Sequence, residues 1–220
     1  MSKDKSGFTI LELMIAISIL SIILLLSTYV LMGVGKLYSK GVNSANIQNI
    51  SRNILQDLTS DVQFGNNSLI QSTIPGYPYH AICIGNIRYS YYEGLPARGR
   101  PFPQHAIWED QMTGNAGESS SCVPLDLSQN VPSCPGVYRS CISSLSGSGS
   151  DLAGPNMHVG YIDIKGSQNI YYISIDMLDG VDSNMFSYNP RTNDYNCNNT
   201  AGQQYCATSL LSTVAARRLN

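Results

Sequence analysis

From Phe8 to Val34 the chain is a run of about 27 residues, nearly all apolar, that carries a single charge, Glu12. About 20 apolar residues span the hydrocarbon of a bilayer as a helix, so the run predicts a helix of membrane length. Beyond it the pattern changes. Ile47, Ile50, Ile54, Leu55, Leu58 and Val62 recur at three- and four-residue steps, and Asn46, Gln48, Asn49, Arg52, Asn53, Gln56 and Asp57 fall mainly between them. That spacing is one apolar stripe on an otherwise polar helix. The two patterns join into one predicted helix from Phe8 to Phe64, ~85 Å long at 1.5 Å per residue. Its second half packs on a globular domain; a coiled coil is the weaker alternative, because the stripe is short. Gly65-Asn66-Asn67 supplies the stop. Gly33, Gly35 and Gly41 each weaken the interior by roughly 1 kcal/mol, which predicts a bend or a frayed turn there.

From Tyr77 onward the helical period gives way to strand signals. Ala81, Cys83 and Ile87 to Tyr92 are β-prone runs interrupted by Gly85-Asn86, a turn or bulge signal. His105 to Glu109, with Trp108, forms a short candidate strand. The clearest hairpin runs from His158 to Ile164, turns at Lys165-Gly166-Ser167-Gln168 and returns from Asn169 to Met177. Met185 to Tyr188 and Ser209 to Ala215 add candidate edge strands. Gln111 to Pro155, rich in Ser, Gly and Pro, reads as a long loop that is stapled by disulfide, partly disordered, or a surface that contacts partners. The predicted class is α+β: a long N-terminal helix, its second half laid on an antiparallel sheet, with cysteine-bearing loops.

Glu12 is costly where it stands. A carboxylate near the start of a membrane helix costs up to roughly 3 kcal/mol on insertion scales. Cleavage after Gly7 would create an α-amino group on Phe8, a cation at the same depth, and opposite charges in a low dielectric attract strongly.

This N-terminus resembles the type IV prepilins and type II secretion pseudopilins. Their signature is a short basic leader ending in Gly, then Phe, Thr, two apolar residues and Glu, opening a long apolar helix. Here Lys3 and Lys5 lie in the leader, Gly7 is at the cut, Phe8 begins the mature chain, and Glu12 follows Thr9-Ile10-Leu11. The resemblance implies cleavage by a membrane prepilin peptidase, N-methylation of Phe8, and pairing of Glu12 with the Phe8 amine of a neighbouring subunit. It implies as partners other major and minor pilin subunits, the inner-membrane assembly platform and membrane lipid. The likeness covers the first ~30 residues. A secretory signal has a shorter apolar core and a small-x-small site, and neither it nor a plain anchor accounts for Glu12.

A finer likeness is to the larger J- and W-type minor pilins. It rests on Arg52, Leu55, Asp57, Leu58, Asp61 and Val62 near the helix end, and on Leu178-Asp179-Gly180-Val181 before Phe186 and Tyr188. Many major pilins carry a helix-bending proline where this chain has Tyr29, a departure that speaks against a filament-body role. The resulting division is a leader over residues 1–7, a transmembrane and filament-core helix over 8–34, an amphipathic continuation over 35–64 and a β-rich extracytoplasmic head over 65–220.

Charge sets the orientation. Lys3 and Lys5 hold the N-terminus in the cytoplasm and send the rest outside, an asymmetry blunted by Lys36 and Lys40. The 220 residues carry a formal charge of -2 with 13% charged residues. No basic stripe supports direct nucleic-acid binding. Six cysteines, Cys83, Cys122, Cys134, Cys141, Cys197 and Cys206, form an even set in an oxidising compartment and read as disulfides, their spacings being too open for common zinc pairs. Six cysteines permit 15 complete pairings, which the sequence leaves open; among them loop-closure entropy favours Cys134 with Cys141 and Cys197 with Cys206, leaving Cys83 for Cys122.

No catalytic constellation stands out, so the expectation is a protein that is not an enzyme and needs no cofactor. His80, His105 and His158 have no carboxylate or second histidine at motif spacing. Gly147-Ser148-Gly149 lacks the strand-to-helix turn of a nucleophile elbow. Asp176, Asp179 and Asp182, with Asn184, form a weak calcium candidate that lacks the usual loop spacing, and the expectation is no metal. Asn66-Asn67-Ser68 and Asn198-Asn199-Thr200 match a glycosylation triplet but are discounted in a prokaryotic setting. Two function classes remain: a filament subunit, and a membrane-anchored adhesin or ligand-binding protein that uses the Ser/Gly/Cys loop region.

Overall fold

The structure, a computed structural model, describes residues 9–65, 69–96, 102–112, 122–128, 132–133, 149–154, 156–167, 169–198 and 205–217. Helix α1 spans Ile10–Phe64, 55 residues without interruption. Gly33, Gly35 and Gly41 stay helical, so the frayed turn expected there is absent: the intrahelical hydrogen bonds outweigh the entropy cost of three isolated glycines. The helix has two environments. Its large apolar side chains from Ile10 to Val42 are exposed, whereas Ile47, Ser51, Ile54, Leu55, Leu58 and Val62 are buried.

Among the described residues ten strands follow in chain order. A five-stranded antiparallel sheet takes β1 (Leu69–Thr73), β2 (Tyr79–Ile84), β3 (Ile87–Tyr92), β4 (Ile107–Gln111) and β5 (Ser150–Asp151) in sequence order. A second sheet orders β10 (Ala207–Ala216), β7 (Ile170–Asp179) and β6 (Met157–Ser167). A small ribbon pairs β8 (Phe186–Asn189) with β9 (Asp194–Cys197). The β2–β3 turn is Gly85-Asn86, with Gly85 at φ 64°, a value that L side chains adopt only with strain. β6 and β7 extend farther than expected. Lys165 to Ser167 belong to the strand, and β7 begins at Ile170.

The helix lies on β7 and β10, as the stripe requires. Ile162, Ile164, Ile173, Ile175, Met177 and Ala215 face it, and Ile82, Ile84, Tyr89, Tyr91 and Ile107 of the larger sheet complete the same core. The sheets are tied together by polar contacts: Gln71 Nε2 donates to Ile164 O (2.7 Å), Tyr91 Oη donates to Ile162 O (3.3 Å), and Gly94 N donates to Val159 O (3.0 Å). At the end of the helix the last turn holds no basic residue. Arg217, just past β10, supplies one from the far end of the chain by donating Nε and Nη2 to Gly65 O at 3.2 and 2.8 Å.

The loop beyond β4 is not all surface. Residues 122–128 return across the outer face of the five-stranded sheet, where Cys122, Val123, Leu125 and Leu127 are buried. Leu125 N donates to Ser90 Oγ (3.1 Å), and Gln104 N donates to Leu127 O (3.1 Å). A second small core of Ala81, Cys83, Met112 and Cys122 forms beneath that segment.

Candidate functional site

The start of α1 is the first place where local chemistry points outward from the molecule. Thr9 is the N-cap, and its Oγ1 accepts from Glu12 N at 3.3 Å, satisfying one of the orphan donors of the first turn. The same turn orients Glu12 at the positive end of the helix dipole. No ion pair engages Glu12 among the described residues. Gly7 and Phe8, the predicted cleavage and methylation positions, lie outside the described residues.

Four hydroxyls in the apolar half are satisfied within the helix. Ser18 donates to Ile15 O (2.8 Å), Ser21 to Ile17 O (2.7 Å), Ser27 to Ile23 O (2.8 Å) and Thr28 to Leu24 O (2.8 Å). These four hydroxyls therefore enter an apolar medium with their donors satisfied. The most apolar 18-residue window has mean hydropathy 2.6, and none of it is buried within the chain. Burying this surface requires lipid or other helices.

Two disulfides join described cysteines. Cys83 on β2 bonds to Cys122, and Cys197 at the end of β9 bonds to Cys206 just before β10. The first pins the returning loop to the outer face of the sheet; the second ties the β8–β9 ribbon to the strand that packs on the helix. Cys134 and Cys141 lie outside the described residues.

The calcium candidates do not converge. Asp176 is buried beside the β6 bulge, where a side chain at Gly160 would meet its Oδ2 at 2.7 Å, and it accepts from Tyr195 N at 3.2 Å. Asp179 is three residues along the same strand and so on the opposite face. Asp182 caps a short 3-10 turn, accepting from Asn184 N (2.9 Å) and Nδ2 (3.0 Å). Among the described residues no cluster of three or more His, Cys, Asp or Glu is placed to hold a metal ion. Burial pushes the carboxyls of Asp176 and Asp179 up to about 7 and about 6.

The histidines acquire partners that sequence spacing conceals. His80 Nδ1 meets Glu93 Oε2 at 3.3 Å, and His105 Nδ1 meets Asp151 Oδ2 at 2.7 Å. His158 is a buried residue of β6. Its Nε2 lies 3.0 Å from Gly180 O, its ring stacks on Phe102, and burial pushes its pKa down to about 4. Sequence reading also missed a fully desolvated ion pair, Arg88 with Asp110, which sits across neighbouring strands under the returning loop.

Comparison with known proteins bears on the N-terminus alone. Residues 2–28 match the prokaryotic N-terminal methylation motif, typical of type IV pilins and pseudopilins. No curated protein and no solved structure matches the chain. The chain thus joins an N-terminal methylation motif of the type IV pilin kind to an α+β, pilin-like head.

Proposed function

We propose that this chain is a minor pilin or pseudopilin subunit. A prepilin peptidase cleaves it after Gly7 and methylates Phe8, and it then enters a type IV pilus or type II secretion pseudopilus through its N-terminal helix. Residues 1–7 are the leader, 8–34 the membrane and filament-core segment, 35–64 its amphipathic continuation and 65–220 the extracytoplasmic head. The role is structural rather than enzymatic.

One observation carries the reading: a helix whose first 33 residues, Ile10 to Val42, expose every large apolar side chain, while its continuation is built into the head. A surface of that size is stable only where something apolar covers it. In the cytoplasmic membrane, with the N-terminus inside and the head outside, lipid covers it. In the filament, the same segments of other major and minor subunits do, and extraction by the assembly platform is offset by that reburial. Glu12 then meets the methylated Phe8 amine of a neighbour, which compensates both charges. Tyr29 in place of a helix-bending proline supports a minor subunit at the tip or in the initiation complex.

Intact-mass measurement of the purified protein tests the processing: the chain is expected to begin at Phe8 and carry one methyl group, and a chain that still begins at Met1 rules processing out. Glu12→Val tests assembly. The variant is expected to insert in the membrane as before and to be lost from filaments; normal incorporation would show the charge pair to be unnecessary.

A further inference from the structure

A groove of about 550 Å³ opens beside the β2 and β3 ends of the larger sheet. Its walls include Tyr77, Tyr79, Tyr92 and Phe102, with Asp126 and Gln104 as polar groups. The sheet register sets part of the wall. Tyr79 opens β2 directly opposite Tyr92 at the end of β3, and the two rings meet edge to face, centroids 5.6 Å apart and planes at 79°. Two rings near a right angle form a corner that exposes a face and an edge. Tyr77, from the β1–β2 turn, is 54% exposed.

Asp126 gives the groove its charge. Burial pushes its pKa up, but hydrogen bonds from Ser128 and from the Tyr79 hydroxyl outweigh that, and the net shift is downward. Ser128 N donates to Asp126 Oδ1 at 2.9 Å. The carboxylate is therefore ionised at neutral pH, and among the described residues no Lys, Arg or His forms an ion pair with it. The His158 ring that stacks on Phe102 is held neutral at pH 7 by burial, so it brings no cation. Aromatic faces are negative at their centres and the carboxylate adds a full negative charge.

We propose that this groove binds an organic ammonium group, held against the tyrosine rings by cation–π attraction and paired with Asp126. The group comes either from a lysine side chain of a peptide or from a quaternary ammonium such as choline. The ionised carboxylate of Asp126 disfavours an anionic ligand, and a neutral sugar or proline-rich peptide gains nothing from it. The site does not rest on the filament reading, since its residues all lie in the head.

The test uses the full chain in a non-ionic polyoxyethylene detergent, titrated by calorimetry with choline, with Nα-acetyl-lysine methylamide, and with 3,3-dimethylbutan-1-ol, the neutral isostere of choline. Saturable binding of one ammonium probe is expected at Kd of about 1 mM. The isostere is expected to bind about fivefold more weakly or worse. Asp126→Asn and Tyr77→Leu are each expected to weaken the ammonium by about fivefold. Tyr77 is half-exposed, so its variant keeps the fold, which near-UV circular dichroism checks. Preference for choline assigns a quaternary headgroup, and preference for the lysine derivative assigns a peptide. The proposal fails if neither ammonium saturates by about 50 mM. It fails also if the isostere binds as tightly, or if both folded variants bind unchanged.

Discussion

The guanidinium of Arg88 and the carboxylate of Asp110 meet fork to fork inside the head, Nε to Oδ1 at 2.8 Å and Nη2 to Oδ2 at 2.5 Å. Arg88 is fully buried and Asp110 is 4% exposed. They are direct cross-strand partners on β3 and β4, and Arg88 Nη1 also donates to Val123 O at 2.9 Å in the returning loop. A charge pair thus cements the loop to the outer face of the sheet. Such a pair is costly to bury and more costly to break.

Removing one member is therefore expected to be severe. Arg88→Met leaves Asp110 buried without its countercharge and is expected to lower stability by about 3–5 kcal/mol. The double variant Arg88→Met, Asp110→Leu is expected to recover most of that loss. Denaturant unfolding followed by Trp108 fluorescence measures both, and a double variant no better than the single would show that the pair does not act as a unit.

The two halves of α1 should answer differently to the same truncation. Leu58 is fully buried against the sheets, and Leu58→Ala is expected to cost about 2–5 kcal/mol of head stability. Leu24 is 59% exposed, and Leu24→Ala is expected to change head unfolding by no more than ~0.5 kcal/mol. Equal effects would mean that the apolar half packs on the head in solution.

The disulfides differ in the chain they close. Cys83–Cys122 spans a sequence separation of 39 and Cys197–Cys206 one of 9. Loop-closure entropy then gives about 4 kcal/mol for the first and about 3 kcal/mol for the second. Paired serine replacement at residues 83 and 122 is expected to lower the melting temperature more than replacement at 197 and 206. It is also expected to open residues 122–128 to hydrogen exchange, which the second replacement leaves protected.

Asp176 makes stability depend on pH. Burial raises its carboxyl from 3.8 to about 7, so across that interval the folded state keeps a proton that the unfolded state has released. The stability this gives is complete below the unfolded value and is lost as pH rises through about 7. His158, lowered from 6.5 to about 4 by burial, has the opposite slope: its contribution is present above 6.5 and is lost as pH falls. Asp176→Asn keeps an oxygen to accept from Tyr195 N and removes the ionisation. It is expected to be more stable than the parent above pH 7, with the advantage shrinking steadily at lower pH. A difference that does not vary with pH would place the titration elsewhere.

Much of this protein is legible along the chain because the signals are local. The spacing of Ile47, Ile54, Leu55, Leu58 and Val62 sets the buried face of α1, since a helix brings residues three and four apart to one side whatever lies opposite. Gly85-Asn86 marks the β2–β3 turn, and the strand formers from Val159 to Ile175 mark the main hairpin. The methylation motif is likewise contiguous, so it can be read without any fold.

What the sequence by itself determined is therefore the long two-part helix, the antiparallel character of the head and the placement of Glu12 in the first turn, all consequences of short-range sterics and periodicity. Only the tertiary structure decided that Arg88 faces Asp110, that His105 meets Asp151 and that Asp176 is buried against the ribbon. It also made strands of Leu69–Thr73, Ser150–Asp151 and Asp194–Cys197, segments with little apolar alternation of their own. Their conformation comes from the partner strand that completes their hydrogen bonds, and which strand that is depends on how distant segments close on one core.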